Sequence, residues 1–473
     1  MSQLTSVLSA DLIVAVATAP GMGGVGMVRL SGPNALEVGQ QITNQPLPYR
    51  QAVLTRFTDP ATGELLDQGL ALSFAHGQSF TGEEVVELHA HGSPVVLAQI
   101  VEACCFLGAR IARPGEFSER AFSNQKMDLA QAEAIADLIA SGSKAAAKAA
   151  ARSLSGEFSR RIFQLSEDLE VLRVFVEAVI DFPEEEVEHL ERGQIRSKIN
   201  AISTALEQLL SDAKQGQLVN NGATIALVGP PNAGKSSLLN VLSGEEQAIV
   251  TDIPGTTRDA LKVDLVLDGV PIKVIDTAGL RMSEDPVEKI GMERTRREAS
   301  KADVLLVVLD VGAQANSKPA NGLSEWIESQ LDTLDLGVDW RQEAESLIVV
   351  LNKMDLAIIS ESQVREHQSR FNHLVAASVK YDQGISQIQS QILKVLGRTQ
   401  EEIPFTARAR HVESLQRSST QLQQASINLE SGVGAELVAE ELKAAHISLG
   451  EIVGETTADA LLGRIFSEFC IGK

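Results

Sequence analysis

The chain has 473 residues, and its 41 basic and 63 acidic side chains give a formal net charge of −22. Hydrophobic residues make up 44% and charged residues 22%, the balance of folded globular domains rather than of disordered chains. At roughly 150 residues per domain, this length predicts about three domains. So acidic a chain does not attract nucleic acid through its overall field, and RNA contact therefore requires local basic patches.

The composition also excludes secreted and membrane-spanning classes. No apolar run approaches the roughly 18 residues that a membrane span needs. The first basic residue is Arg29, so the positively charged region of a signal or transit peptide is not expected. The three cysteines include the adjacent pair Cys104 and Cys105, which argues against a disulfide framework. We therefore expect a cytoplasmic protein with no membrane association.

The first half of the chain changes from strands to helices. Residues 11–124 alternate short apolar runs with clusters of Gly, Pro and Asn, which predicts strands joined by turns, with one helix at about 94–107. From Met127 the sequence is rich in Ala, Leu, Glu and Lys with apolar residues at helical spacing. This predicts helices to about Lys214, with an acidic break after Phe182.

The second half returns to an alternating pattern. The stretch QGQLVNNGA (215–223) is predicted to be a linker, and from Thr224 apolar runs alternate with helical segments, as in a parallel sheet with crossover helices. An insertion at about 312–345 precedes the strand LIVVLNK. After about Gly397 the chain is predicted to be helical. The helices before and after the alternating stretch are expected to form one discontinuous domain.

The strongest motif is GPPNAGKS, at Gly229–Ser236. It follows the apolar run TIALV and precedes the helical SSLLNVL, which is the context of a phosphate-binding loop. Its backbone N–H groups and the helix N-terminus favour phosphate, and Lys235 reaches the β- and γ-phosphate oxygens. The hydroxyl of Ser236 is a ligand for Mg²⁺.

Two motifs that sense the γ-phosphate follow in the expected order. Thr256 and Thr257 in IPGTTRD offer a second Mg²⁺ ligand. The sequence DTAG ends a predicted strand, where Asp276 can hold Mg²⁺ and the amide of Gly279 can meet the γ-phosphate.

Two further motifs predict recognition of guanine. NKMD (Asn352–Asp355) ends a strand, and Asp355 accepts hydrogen bonds from guanine N1–H and from the exocyclic amine. SVK (Ser378–Lys380) fits the loop at the guanine edge. The motifs together predict a GTPase. The predicted GTP-binding residues are Asn232, Ala233, Gly234, Lys235, Ser236, Ser237, Thr251, Asp252, Ile253, Pro254, Gly255, Thr256, Thr257, Asp276, Thr277, Ala278, Gly279, Asn352, Lys353, Asp355, Ser378, Val379 and Lys380.

The residue after DTAG is Leu280, where many regulatory GTPases have a glutamine that orients water. Hydrolysis therefore needs another group. Glu284, Asp285 and Glu288 lie just downstream. On charge pattern alone, a solvated acidic face explains these residues better than a catalytic role, and the choice stays open at this point.

Segments along nearly the whole chain carry a specific resemblance. They are GMGGVGMVRLSG, PGEFSERAFSNQKMDLAQAEAIADLI, GPPNAGKSSLLN, TDIPGTTRD, DTAGL, VEKIGMER and the terminal IFSEFCIGK. In these segments the sequence resembles the MnmE (TrmE) family of tRNA-modifying GTPases.

The resemblance implies a homodimer that acts on tRNA in a heterotetrameric complex with a flavoprotein, MnmG. Together they add an aminomethyl or carboxymethylaminomethyl group to carbon five of the wobble uridine. The resemblance implies that the one-carbon unit comes from a tetrahydrofolate derivative, in its 5-formyl or methylene form, held where the N-terminal domains dimerise. The implied folate residues are Arg29, Glu87, Lys126 and Lys473.

The resemblance also implies that two G domains dimerise around a potassium ion, without an arginine finger. The implied potassium ligands are Asn232, Thr251, Ile253 and Thr256, and the implied Mg²⁺ ligands are Ser236 and Thr257. Glu288 is implied to be the catalytic acid. Cys470 is equally compatible with a reactive thiol near the folate and with packing of a terminal segment.

The predicted fold is therefore a multidomain α/β protein. It combines a mixed α/β N-terminal folate-binding and dimerisation domain, a discontinuous helical domain and an inserted Ras-like P-loop G domain. The predicted boundaries are 1–126 for the N-terminal domain, 127–222 and 398–473 for the helical domain, with the CIGK motif at its end, and 223–397 for the G domain. The alternative function is a G-domain switch in ribosome assembly, but no RNA-binding module such as a KH domain is evident after the G domain.

Three weaker patterns have simpler explanations. Gly21, Gly23 and Gly26 match a dinucleotide fingerprint, but a strand follows where a helix is required. His89 and His91 could face one metal, but no nearby ligand completes a site. Lys144, Lys148 and Arg152 recur along one helix face, which fits a solvated face better than a tRNA-facing stripe.

Overall fold

The computed structural model describes residues 11–181, 188–244, 262–276, 300–312, 322–334, 339–356, 370–398, 402–431 and 434–467, with positions 364, 366–367, 469 and 472; at 180–181, 188–192, 262, 276 and 459–460 it describes the backbone alone. The chain divides into two compact units. Unit 1 comprises Met1–Ala136, Ile162–Glu170 and Lys443–Lys473. Unit 2 comprises Asp137–Arg161 and Val171–Leu442.

The described elements are as follows. The strands are β1 (Ile13–Val16), β2 (Gly23–Ser31), β3 (Val53–Thr58), β4 (Leu65–Phe74), β5 (Val85–Gly92), β6 (Arg110–Ile111), β7 (Ala223–Val228), β8 (Lys262–Leu267), β9 (Val270–Asp276), β10 (Val304–Asp310), β11 (Leu347–Asn352) and β12 (Leu374–Ala376). The α-helices are α1 (Ala35–Thr43), α2 (Pro94–Phe106), α3 (Glu116–Ser123), α4 (Leu129–Ala140), α5 (Lys144–Leu154), α6 (Glu157–Asp181), α7 (Glu188–Asn221), α8 (Lys235–Ser243), α9 (Leu323–Thr333), α10 (Ile385–Val395), α11 (Ala409–Ser431), α12 (Ala435–Val453) and α13 (Asp459–Ser467).

Unit 1 is built on a six-stranded sheet in the order β3-β4-β5-β2-β1-β6, antiparallel except for the β1–β6 pair. Successive side chains of a strand point to opposite faces. Val14 accordingly packs into the core that includes α1 and α2, while Ile13 and Ala15 pack with Phe117 of α3. The inner strand β1 is thus buried on both faces, which explains its uninterrupted apolar sequence.

Unit 2 contains the second sheet, in the order β12-β11-β10-β7-β9-β8. Its strands are parallel except β8, which runs antiparallel to β9. Ile225 and Leu227 face one apolar core, and Ala226 and Val228 face the other. Because the carboxyl ends of the parallel strands lie along one edge, loops that are distant in sequence meet there. This confirms the predicted parallel sheet with crossover helices, except that β8 is antiparallel.

Along the chain, the helices of unit 2 lie both before and after the strands of this sheet. α7 packs along α11, and Phe158 of α6 stacks on Phe405 with 4.6 Å between ring centroids. The architecture is therefore the expected multidomain α/β fold, with helices from two chain segments. No helix among the described residues is apolar over a length that would cross a membrane.

The structure corrects three local predictions. α2 is present as predicted, but α1 and α3 were not predicted within the strand-rich region. The predicted linker at 215–223 is wrong, because α7 continues to Asn221. Val219 is fully buried there and Gly216 lies against the carbonyl of Phe405, so tertiary packing keeps a poorly helix-forming stretch helical.

α7 joins the sheet almost without a connection. Only Gly222 separates its last residue, Asn221, from Ala223, the first residue of β7. Gly222 has a φ of 71°, and a Cβ at this position would lie 2.5 Å from the carbonyl oxygen of Pro271. A side chain therefore cannot fit at this joint.

Candidate functional site: a guanine-nucleotide site and an ion-paired cluster

The phosphate-binding loop connects the end of β7 to the start of α8. Gly229 has a φ of 153°, and a Cβ there would lie 2.2 Å from the carbonyl oxygen of Val308. Gly234, at φ 100°, precedes the first turn of α8, and no side chain caps that turn. Its N–H groups therefore suit an anion.

Lys235 brings a positive charge to the same place. The residue is 6% exposed, and its Nζ donates to the carbonyl oxygens of Gly229 at 2.6 Å and Pro230 at 2.8 Å. The ammonium group is thus held across the loop at the N-terminal end of the helix, where both the charge and the helix dipole favour phosphate. Ser236 and Ser237 are exposed in the first turn, and Asn232 is exposed at the tip of the loop with a φ of 60°.

Asn352 connects this loop to the base-recognition loop. Its side chain is almost completely buried at the end of β11; Nδ2 donates to the carbonyl oxygen of Ala233 at 2.8 Å, and Oδ1 accepts from the backbone N–H of Val379 at 3.1 Å. A Cβ on Gly234 would lie 2.2 Å from Nδ2. Asparagine therefore acts as a two-sided bridge, and glycine is required beside it.

The residues predicted to recognise the base lie at the ends of β11 and β12. The Oγ of Ser378 donates to Oδ1 of Asp355 at 2.5 Å, which orients the exposed carboxylate. Nζ of Lys353 pairs with Oδ2 of Asp310 at 2.5 Å. Lys380 lies over the ring of Tyr381, 5.1 Å from its centroid. Sequence reasoning missed the role of Asp310, although its place at the end of the buried strand VLLVVLD was a usable signal.

Several predicted residues lie outside the described part of the chain. They are Thr251, Asp252, Ile253, Pro254, Gly255, Thr256, Thr257, Thr277, Ala278, Gly279, Glu288, Cys470 and Lys473. For Asp276, the backbone is described at the end of β9, next to β7 in the sheet. Its position is therefore at the same edge as the phosphate-binding loop.

A second cluster lies in unit 1, around Arg29 and Glu87. The two residues are cross-strand neighbours on β2 and β5, and their side chains form an ion pair at 2.9 Å. The guanidinium of Arg29 lies 5.6 Å from the ring centroid of Phe80 and 5.8 Å from that of Phe117. Burial raises the pKa of Glu87, but the hydrogen bond with His89 and the charge of Arg29 outweigh it and hold this pKa below its ordinary value.

Lys126 reaches the same region. Its Nζ donates to the carbonyl oxygen of Gly77 at 3.0 Å, in the loop that also carries Phe80. Near the end of the chain, Gly472 has a φ of 92°, and a Cβ there would lie 2.2 Å from the carbonyl oxygen of Val16 on β1. β1 pairs with β2 beside Arg29. Three of the four predicted folate residues thus lie around one loop, and the fourth, Lys473, lies outside the described residues.

Comparison with known proteins decides the family. The model "GTP-binding protein TrmE N-terminus" matches residues 12–126, and the model "MnmE helical domain" matches residues 129–470. The chain is 47% identical over 464 residues to the tRNA modification GTPase MnmE of Pseudomonas aeruginosa (strain UCBPP-PA14), covering 98% of this chain and 99% of that protein. The chain belongs to the MnmE family of tRNA modification GTPases. This confirms the resemblance and the prediction of a GTP hydrolase.

Other similar proteins include the MnmE of Neisseria meningitidis serogroup A, which is 45% identical over 467 residues, with 98% of each chain covered. Among solved structures, the FeoB G-domain of Methanococcus jannaschii is 23% identical, covers 37% of this chain and 97% of its own, and has a TM-score of 0.25.

The remaining patterns have partners within the protein. His89 contacts Glu87 at 3.3 Å, and His91 contacts Asp67 at 2.9 Å. Among the described residues, no group of three or more His, Cys, Asp or Glu side chains is placed to hold a metal. β2 begins at Gly23, so the early glycines lead into a strand as predicted.

The basic stripe on α5 is partly engaged within unit 2. Lys148 and Arg152 both pair with Glu402, at 2.8 and 2.5 Å. Arg152 also donates to the carbonyl oxygen of Ile403 at 3.1 Å. These contacts hold the segment before α11, which favours a structural role for the stripe over a tRNA-facing one.

Proposed function

We propose that this MnmE-family GTPase acts as a homodimer with the flavoprotein MnmG on tRNA in the cytoplasm. Together they add a carboxymethylaminomethyl or aminomethyl group to carbon five of the wobble uridine, using a one-carbon unit from a 5-formyl- or methylene-tetrahydrofolate. GTP hydrolysis drives dimerisation of the G domains. The proposed domain boundaries are those predicted above, at 126, 222 and 397.

The observation that carries the proposal is the cluster of Arg29, Glu87 and Lys126 around one loop in unit 1. The cluster suits a reduced folate chemically. Glu87, with its lowered pKa, is an ionised acceptor for pterin N–H groups, and Phe80 and Phe117 offer aromatic surface. Lys126 and the terminal Lys473 would bind the folate carboxylates. The folate itself supplies the one-carbon unit.

The guanine-nucleotide site suits Mg²⁺ and potassium. Ser236 is an exposed hydroxyl in the first turn of α8, and with Thr257 it would hold Mg²⁺ beside the phosphates. The exposed amide oxygen of Asn232 at the loop tip is a hard ligand for potassium, with Thr251, Ile253 and Thr256 completing the set. Glu288 would act on the attacking water in place of the missing glutamine.

Nucleoside analysis tests the proposal. The purified protein is incubated with unmodified tRNA, the flavoprotein, methylene-tetrahydrofolate and GTP, and each component is omitted in turn. We expect the modified wobble uridine only in the complete mixture. Modification that proceeds without folate refutes the assignment of the cluster in unit 1.

Salt substitution tests the potassium site separately. GTP hydrolysis should be much faster in potassium than in sodium, because the ion supplies positive charge at the phosphates. Asn232→Ala should lose that dependence, whereas Asn240→Ala, an exposed asparagine on α8, should retain it. Equal rates in the two salts for the parent protein contradict the potassium assignment.

A further inference from the structure

A partly buried ion-pair network lies next to the loop that contacts Arg29. At its centre is Arg120 of α3, whose side chain is 3% exposed. Its Nη2 donates to Asp11 Oδ1 at 2.8 Å and to Glu116 Oε1 at 3.2 Å. Its Nη1 donates to Glu83 at 3.1 Å and to the carbonyl oxygen of Asp11 at 2.9 Å. One guanidinium thus joins the chain before β1, helix α3 and Glu83, two residues before β5.

Glu83 carries these contacts into the loop at 75–84. Its Oε2 accepts from the Oγ of Ser31 at 2.6 Å, and the Ser31 and Thr81 hydroxyls are 2.7 Å apart. The backbone N–H of Glu83 also donates to Thr81 Oγ1 at 3.2 Å, and its carbonyl oxygen accepts from Ser79 Oγ at 2.6 Å. The carboxylate of Glu83 is therefore the point at which the loop is attached to Arg120.

This loop is the one that borders the candidate folate site. It carries Phe80, which lies over the guanidinium of Arg29, and Gly77, whose carbonyl oxygen accepts from Lys126. Asn124, which follows α3, adds a hydrogen bond to the carbonyl oxygen of Thr81 at 2.7 Å. The conformation of the loop sets where the aromatic ring and the lysine lie relative to Arg29.

We propose that Arg120 is a positioning residue for the folate site: through Glu83 it fixes the 75–84 loop, so that Phe80 and Lys126 are preorganised for the folate. The inference rests on the proposed function, since it assigns a role at that same site. Charge-assisted hydrogen bonds from a buried guanidinium are stronger than neutral ones and are directional, which suits them to hold a loop in one conformation. Preorganisation of a loop is gained as ligand affinity, because less ordering remains to be done on binding.

Arg110 provides a matched control. It pairs with two of the carboxylates that Arg120 contacts, Asp11 and Glu116, at 2.5 Å each, and its Nη1 donates to Glu116 Oε2 at 2.9 Å and to the carbonyl oxygen of Ile111 at 3.2 Å. Arg110→Met thus removes ion pairs from the same network without touching Glu83. Glu83→Gln is nearly isosteric and keeps one acceptor oxygen for Ser31, while it removes the negative charge that faces Arg120 and turns the other oxygen into an N–H donor.

The test compares parent, Glu83→Gln and Arg110→Met in three measurements. Hydrogen exchange followed by mass spectrometry reports on the amides of 75–84. Calorimetry gives the affinity for 5-formyltetrahydrofolate, and the complete modification reaction gives KM for methylene-tetrahydrofolate and kcat. In Glu83→Gln we expect faster loop exchange and folate affinity and KM worse by about tenfold, roughly the effect of losing one charge-assisted hydrogen bond. We expect kcat and the rate of GTP hydrolysis to stay within about twofold of the parent values, because the substitution changes neither the reacting groups nor the G domain.

The outcomes distinguish failure of the role assigned to Arg120 from failure of the proposed function. Parent-like loop exchange and folate affinity in Glu83→Gln overturn the inference and leave the proposed function intact. An equal loss of affinity in Arg110→Met also overturns it, because the effect would then come from general stability. If the parent protein binds no reduced folate, the proposed function fails and the inference fails with it.

Discussion

Asn352 offers the sharpest test of how the guanine-nucleotide site is held together. Asn352→Ala removes two buried hydrogen bonds at once, one to the phosphate-binding loop and one to the base-recognition loop. A buried hydrogen bond contributes about 1 kcal/mol net, and each partner left unpaired costs about 1–3 kcal/mol. With partial relaxation of both loops, the expected loss is about 2–4 kcal/mol.

This loss can appear in two measurable quantities. One is the free energy of unfolding in urea, taken from the transition whose midpoint GTP shifts. The other is the affinity for GTP, because nucleotide binding to the variant must also order the two loops. Since about 1.4 kcal/mol is a tenfold change, a loss carried wholly by affinity corresponds to roughly 30- to 700-fold weaker binding. Fluorescent-nucleotide titration and urea unfolding of the same sample give both.

Asn240→Ala is the matched control, because Asn240 is exposed on α8 near the same loop. It should change either quantity by less than about 0.5 kcal/mol. If Asn352→Ala unfolds and binds GTP like this control, the side chain does not hold the two loops and the reasoning from its contacts is wrong.

Three other predictions test separate parts of the protein. Asp355→Asn should transfer preference from GTP to xanthosine triphosphate, since it replaces an acceptor by a donor; unchanged competition between the two nucleotides contradicts the base assignment. Burial raises the pKa of Glu116, but hydrogen bonds from Arg110, Arg113 and Arg120 lower it to about 2 from 4.5. The stability from these pairs is therefore complete above about pH 4.5 and lost as the pH falls towards 2. Glu116→Gln should make the unfolding free energy of unit 1 depend less on pH in this range. Deleting residues 470–473 should abolish tRNA modification and leave GTP hydrolysis near the parent rate. Modification at the parent rate would show that the tail is not part of the site.

The loop geometry at the candidate guanine-nucleotide site was predictable because its constraints are local in sequence. Gly229 and Gly234 are required by backbone angles and close contacts within one loop, so the motif shows them directly. The bridge made by Asn352 is different, since its partners lie 119 and 27 residues away. The motif indicated that an asparagine belongs there, but only the sheet order shows what it holds.

The two missed helices begin without a side-chain capping bond. Asn34 and Gly115, which precede α1 and α3, both adopt left-handed backbone angles, and neither makes a side-chain capping bond. A Cβ on Gly115 would lie 2.3 Å from the carbonyl oxygen of Phe466, so a contact distant in sequence defines the start of α3. Likewise, Arg120 pairs with residues 11 and 83, to which no spacing rule joins it, whereas Glu116 lies at the i,i+4 spacing of α3.

Gly222 joins α7 directly to the strand that leads to the predicted nucleotide site. The helix has 34 residues, so at 1.5 Å per residue it is about 50 Å long. It passes through a single glycine into β7, and β7 ends at the phosphate-binding loop. A tilt of about 5° at this joint displaces the far end of such a helix by about 4 Å. A rearrangement at the predicted phosphate-binding loop can therefore be too small to break any strand pairing there. At the other end of α7 the same rearrangement is large enough to exchange one set of side-chain contacts for another.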